Sequence, residues 1–401
     1  MNEQLIVKNF GPIKDATVDF KRVTVFIGPT GGGKSTLAKL AAVFKNNEFY
    51  RVGQSNRFNM IKNYSLTKFF SDNTDFKWTD KDGSFLISRD LEITEPGVLG
   101  SKKSDVAIDL IYEDEEKRRV FERVMESYAL NLKMHSEGLV KSNGDDLLQQ
   151  LHELLDSAKP PLVPSYIPAE RIFVSSIEYS WPGLLRDNIG LPKSILDFSN
   201  SFSLSRKNVP ELNIKFLKAK YIHSNGQDLV KIDGSETLFR LYETASGIQS
   251  VTPLLVLLEH LSRNTEQAQS FIIEEPELNL YPTAQQGLLN WLVEKCTQGE
   301  NDLTITTHSP YILSHLNLLL YAYQVAEKHP DRKEAVAAIV PEASWINSKE
   351  FACYQVENGG VQSLVDEELG LIDNNELDGL SGDAADAFDN LIRLSKGFAT
   401  K

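Results

Sequence analysis

Nine residues, GPTGGGKST from Gly28 to Thr36, carry the densest chemistry in the chain. Gly28, four residues and then Gly33-Lys34-Ser35 satisfy the P-loop pattern, and the run stands between the apolar, β-branched VTVFI and LAKLAAVF. That is the strand-then-helix setting the pattern requires. Glycines let successive backbone N–H groups turn inward around phosphates, because side chains would block the approach and several positions need unusual φ/ψ angles. Lys34 would then reach the β- and γ-phosphates, Ser35 would ligate Mg²⁺, and the helix N-terminus would add a positive dipole end. The candidate nucleotide-binding residues are Gly28, Gly31, Gly33, Lys34, Ser35 and Thr36, with ATP and Mg²⁺ as the expected cofactors.

Carboxylates and an imidazole follow at the ends of apolar runs. SFIIEEPELNLYP (270–282) reads as a short buried strand delivering Glu274 and Glu275. The first carboxylate would help hold Mg²⁺ and its water shell, and Glu275 would polarise the attacking water. A paired Glu at a strand end is as often a solvated edge. Thirty-three residues after Glu275, NDLTITTHSPYILS gives a strand over Leu303–Thr307 ending at His308. A lone His is usually structural, but at the end of a strand parallel to the first it would lie beside the γ-phosphate and sense its presence. Finally, Ser246-Gly247-Ile248-Gln249 opens a long apolar helix 28 residues before Glu274. Such an N-terminus is either an anion site or an ordinary cap.

The elements that must position these groups can be read from pattern. Leu5–Val7 and Ala16–Phe20 form a first hairpin around FGPIKD, Val23–Ile27 is the strand feeding the glycine loop, and Ser35–Phe44 is the helix that follows. From Glu115 to Leu155 the sequence is charged and helical, with Leu147, Leu148, Leu151, Leu154 and Leu155 at helical spacing until Pro160-Pro161. PLVPSYIPAERIFV returns to strand-like composition, Trp181 onward is irregular or helical, and FLKAKYIHSNGQDLVKIDGSETLFRLY reads as strands turning at Ser224-Asn225-Gly226 and Asp233-Gly234. The expected fold is α/β, with a P-loop head split by a helical insertion. Its parts are 1–110, an insertion at 111–220 interrupted by a core strand near 163–175, the rest of the head at 221–360, and an acidic segment at 361–401.

Composition bounds the class. In 401 residues with 41% hydrophobic and 24% charged side chains, no apolar run reaches the ~18 residues of a membrane span. MNEQLIVKNF has no signal-peptide pattern, so a soluble, cytoplasmic protein is expected. Cys296 and Cys353 are too few for a disulfide framework and lack metal-ligand spacing. A net charge of −14 argues against a surface that coats nucleic acid throughout. Val361 to Ile392 holds nine acidic residues and no basic one, with Leu, Ile and Phe interspersed, so it is either a docking segment or a solvated tail.

The order of P-loop, SGIQ, IIEEPE and TTHSP resembles the ABC-type ATPase heads of the SMC and RecF group, and most closely the overcoming-lysogenisation-defect (OLD) branch. The opening IVKNFGPIKDATVDFKRVTVFIGPTGGGKSTLAKL is similar to that group as well, and PAER at 168–171 fairly so. Thr30 stands where the group commonly has Asn, and Glu274 where it has Asp. The resemblance implies a composite site, in which Ser246 and Gly247 of one subunit close over ATP held by the P-loop of another. ELNLY would be the D-loop, placing Asn279 near the partner's site. A homodimer or higher homo-oligomer is therefore expected. With 93 residues after His308 and the one DxD triplet at Asp80-Lys81-Asp82, a turn before Gly83, a C-terminal Toprim nuclease is expected to be absent. A stand-alone ATPase of this kind resembles the sensor subunits of bacterial anti-phage systems that work with a separate effector. The competing class is a repair or chromosome-maintenance ATPase that binds DNA, for which Arg206, Lys207, Lys215, Lys218 and Lys220, on strands and loops, would either supply phosphate contacts or form a solvated face.

Overall fold

A computed structural model describes residues 3–46, 49, 54–71, 73–80, 83–88, 110–111, 163–177, 190–263, 268–373, 387–388 and 390–392. Period-two burial governs the opening hairpin of β1 (Glu3–Phe10) and β2 (Ile13–Phe20), which turn inward Leu5, Val7, Ala16 and Val18. With β4 (Asp75–Asp80), β5 (Gly83–Ser88) and β6 (Leu110–Ile111) they form an antiparallel sheet in the order β2-β1-β4-β5-β6. Asp80 lies opposite Gly83 in that register, and Lys81 and Asp82 of the DxD triplet lie outside the described residues.

The central sheet runs β15-β14-β3-β13-β12-β7. Its members are β3 (Val23–Ile27), β7 (Ser165–Ile167), β12 (Ser270–Glu274), β13 (Asp302–Thr306), β14 (Phe351–Glu357) and β15 (Gly360–Ser363). All neighbours are parallel except β14 and β15. Every residue of β3, β12 and β13 is buried, the signature of strands covered on both faces. Val23, Val25, Ile273 and Ile305 face one core, shared with helices α4 (Lys193–Asn208), α5 (Ser246–Ser262), α6 (Pro282–Cys296) and α7 (Pro310–Lys328). Phe26, Ile272 and Tyr354 face the other, with the N-terminal sheet and α1 (Lys34–Phe44). Helix α2 (Gln54–Asn63) flanks this core through Ile61, and α3 (Ile172–Ser176) packs on the first one through Val174. A third sheet of β8 (Glu211–Ile214), β9 (Ala219–Ser224), β10 (Gln227–Ile232) and β11 (Leu238–Arg240) turns at Asn225-Gly226 and Asp233-Gly234.

Three expectations are modified. IFV after PAER is the helix α3, not strand: Pro168 ends β7 and a 3₁₀ turn at Ala169–Arg171 starts a helical path in spite of the β-branched residues. Arg206 and Lys207 lie in the last turn of α4 rather than on a strand or loop. The acidic segment begins as part of the head, for Leu364 and Ile372 are buried and Asn317 on α7 exchanges hydrogen bonds with the Ile372 backbone at 2.7 and 2.9 Å. The charged helical run at 115–155 lies outside the described residues.

Candidate functional site

Strand β3 ends at Gly28, whose φ of 135° and position against β14 admit no other residue: a Cβ there would stand 2.3 Å from the Val356 carbonyl oxygen. Gly31 and Gly33 also have positive φ, and Gly33 is the N-cap of α1. Lys34 is nearly buried, and its ammonium donates to the Gly28 and Pro29 carbonyls at 2.8 and 2.9 Å, bent over the loop it belongs to. Burial lowers its pKa, while Glu275, Glu274 and Glu277 pull the other way. Ser35 is half-buried beside Glu274, and Thr36 is buried one turn into the core.

Parallel pairing of β12 with β13, and of β13 with β3, brings the C-terminal ends of all three strands to one edge. This is the edge at which open α/β sheets bind ligands. Glu274 closes β12. Burial raises its carboxyl above the ordinary range, an effect opposed by Lys39 and by the nearby Tyr166 and Ser35 hydroxyls. Its Oε1 is buried without a hydrogen-bond partner, a position suited to a cation or its water shell. Glu275 follows at φ 42°, in the left-handed region, with its N–H on the Thr306 carbonyl at 3.0 Å. Its Oε1 lies 3.2 Å from His308 Nε2. Burial and the Lys34 charge hold the His308 pKa below its usual value, with Glu275 and the Gly28 backbone opposing them.

The structure adds two residues to this group. Glu277, buried in the turn after Pro276, accepts from Thr307 Oγ1 at 2.5 Å and from the His308 backbone N–H at 3.1 Å, tying the two loops together. Arg171, fully buried, donates to the carbonyls of Glu274, Glu275 and Pro276 at 2.8, 2.7 and 2.9 Å. The only trace of either in the sequence is its place in IIEEPE and in PAER; their backbone partners leave none.

Ser246 and Gly247 belong to a second group. Ser246 is the exposed first residue of α5, and Ala245 is the N-cap with no side-chain capping bond, so the ordinary-cap alternative is not what forms. Gln249 secures the turn by donating to the Tyr242 and Thr244 carbonyls at 3.0 and 2.6 Å. Gly247 packs against the Glu277–Leu280 turn so closely that a Cβ would stand 2.7 Å from the Asn279 carbonyl oxygen. Asn279 itself is exposed at φ 64°. Lys34, Glu274, Glu275 and His308 thus form one cluster, while Ser246, Gly247 and Asn279 form another.

No curated protein matches the chain. Among solved structures, the SMC head domain of Thermotoga maritima is 12% identical over 90% of this chain and 98% of that one, with a TM-score of 0.40. The Pyrococcus furiosus Smc head domain with an extended coiled coil, bound to the C-terminal domain of ScpA, is 13% identical over 90% and 94%, with a TM-score of 0.39. The AAA ATPase domain model matches residues 1–157 and 112–313, a span that contains the P-loop, both strand-end glutamates and His308, and the chain therefore belongs to the AAA ATPase domain family and is an ATP-binding ATPase.

Proposed function

We propose that this ATPase is of the ABC type, dimerises around ATP, and serves as the cytoplasmic sensor or regulatory subunit of a bacterial anti-phage system with a separate effector. The observation that carries the reading is the division of the site into two clusters. One has a phosphate loop, a water-activating carboxylate and an imidazole; the other offers an uncapped helix N-terminus packed on the turn that exposes Asn279. The N–H groups at the start of α5, at Ser246 and Gly247, would suit the γ-phosphate held by a second copy.

In this mechanism the Gly28–Thr36 backbone and Lys34 hold the triphosphate. Ser35 and Glu274, whose Oε1 is buried without a hydrogen-bond partner, would hold Mg²⁺ jointly with the phosphates. The ion would neutralise charge on the β- and γ-oxygens. Glu275 accepts the proton of the attacking water, and His308 holds that carboxylate through Nε2 at 3.2 Å. Loss of the γ-phosphate removes what joins the two copies, so hydrolysis opens the dimer.

For the effector surface, Phe388 and Leu391 lie exposed at helical spacing in the acidic segment, which favours docking over simple solvation. DNA is the weaker partner. Arg206 pairs with buried Asp228 at 2.6 Å and Lys220 with Glu211 at 2.5 Å, so two of the five basic residues already face carboxylates of the chain. Among the described residues no helix is long and apolar enough to cross a membrane. The test is purified protein with ATP and Mg²⁺: Glu275→Gln should bind ATP and turn over orders of magnitude more slowly, and the wild type should leave DNA and RNA uncut. Wild-type turnover in Glu275→Gln, or metal-dependent cleavage by a pure preparation, would sink the reading.

A further inference from the structure

Arg171 is among the largest fully buried side chains of the protein, at 0% exposure. Removing a guanidinium from water is costly and is offset here by the hydrogen bonds of its two terminal nitrogens, while its Nε–H is buried without a partner. Its hydrogen bonds run to backbone carbonyls: Glu274, Glu275 and Pro276, with Pro168 more distant at 3.4 Å. Burial lowers its pKa to about 10, with Glu277, Glu275 and Glu274 opposing, so it stays charged at neutral pH.

The three carbonyls belong to consecutive residues, and the middle one is the left-handed Glu275 at φ 42°. A non-glycine residue there is strained and persists only where its surroundings hold it. The planar fork can span neighbouring carbonyls in a way no other side chain can. Its base is anchored too, because α3 begins directly after Arg171 and Ser175 Oγ donates to the Gln249 carbonyl of α5 at 2.8 Å. The clamp therefore joins the helix that carries Ser246 and Gly247 to the turn that carries Glu275.

We propose that Arg171 is a positioning residue for hydrolysis, locking the Glu274–Pro276 turn in the conformation that aims Glu275 at His308 and the attacking water. This rests on the role given to Glu275 above. Arg171→Lys keeps the charge but replaces the fork by a point donor. ATP affinity, set by the P-loop, should stay within about threefold of wild type while kcat falls on the order of 100-fold, as a misplacement near 1 Å can produce. In a Glu275→Gln background the same substitution should change kcat by less than about twofold, since groups acting through one another do not add.

Nucleotide binding, thermal melting and single-turnover hydrolysis on the four proteins of this cycle, together with melting of Arg171→Gln, decide the matter. Wild-type kcat in Arg171→Lys, or the same 100-fold loss on top of Glu275→Gln, overturns the proposal. Collapse of folding in both Arg171→Lys and Arg171→Gln also overturns it, because Arg171 would then be a structural cross-link. A wild-type rate in Glu275→Gln alone removes the role of Glu275 and this proposal with it, and is recognised in the single variant before Arg171 is touched.

Discussion

Replacing Glu277 by alanine separates the frame of the site from its chemistry. Its carboxylate receives the Thr307 hydroxyl at 2.5 Å and the His308 N–H at 3.1 Å, and Thr307 is wholly buried. Each stranded donor costs about 1–3 kcal/mol. Against this, burial raises the Glu277 carboxyl above its ordinary range, and its Oε2 has no partner, so deleting the side chain relieves some desolvation. The net loss should be on the order of 2–4 kcal/mol. Since His308 would lose a backbone anchor, kcat should fall at least about tenfold with little change in ATP affinity, the split that marks a loss confined to the transition state. Glu277→Gln keeps an acceptor and sheds the buried charge. A carboxyl with a raised folded-state pKa disfavours the fold progressively as pH rises through that pKa, so the stability of Gln relative to Glu should increase from pH 4.5 upward. Urea midpoints at constant m, with steady-state ATPase rates, measure both effects. A Glu277→Ala protein with wild-type midpoint and kcat would refute the reasoning, as would a Gln variant as damaged as the Ala one.

Two further outcomes follow from the same geometry. Gly247→Ala places a methyl 2.7 Å from the Asn279 carbonyl oxygen, tight enough to move backbone; it should cost about 1–3 kcal/mol and reduce turnover more than ATP binding, and unchanged melting and kcat would contradict the packing. Because burial and Lys34 hold His308 below 6.5, kcat should be level from pH 6.5 upward and fall as pH drops through the depressed pKa and an imidazolium pairs with Glu275. The stability that His308 contributes follows the same window, present above pH 6.5 and lost below it. A pH–rate series on the wild type and His308→Gln, in which that acid limb lies above pH 6.5 or survives the substitution, would count against the assignment.

What was legible in the sequence depended on where each residue's partners lie. The P-loop could be read because its constraints are local: glycines at left-handed positions between a buried strand and a helix show in nine consecutive residues. The strands β3, β12 and β13 were legible from short runs of apolar and β-branched residues, and the order of motifs gave the ATPase class. Arg171 could not be assigned a role, because it acts on carbonyls 103 to 105 residues away, which carry no side-chain signature. Glu277 looked like one more acid in EEPE until its oxygen was found on the backbone of His308. The α3 segment was misread because Ile172, Phe173 and Val174 have strand-like side chains, while Pro168 and the turn after it decide the path.

The account stands or falls on whether Ser246 of one copy completes the ATP site of another, and a mixing experiment asks this directly. Ser246→Arg puts a bulky cation at the N-terminus of α5, and Lys34→Ala empties the P-loop of its cation; neither protein should hydrolyse ATP alone, although Ser246→Arg should still bind it. A mixed dimer pairs the intact P-loop of the first chain with the intact α5 N-terminus of the second, so mixing them should restore part of the activity. Wild-type hydrolysis by Ser246→Arg alone would contradict the composite site and leave Ser246 without a role in the reaction.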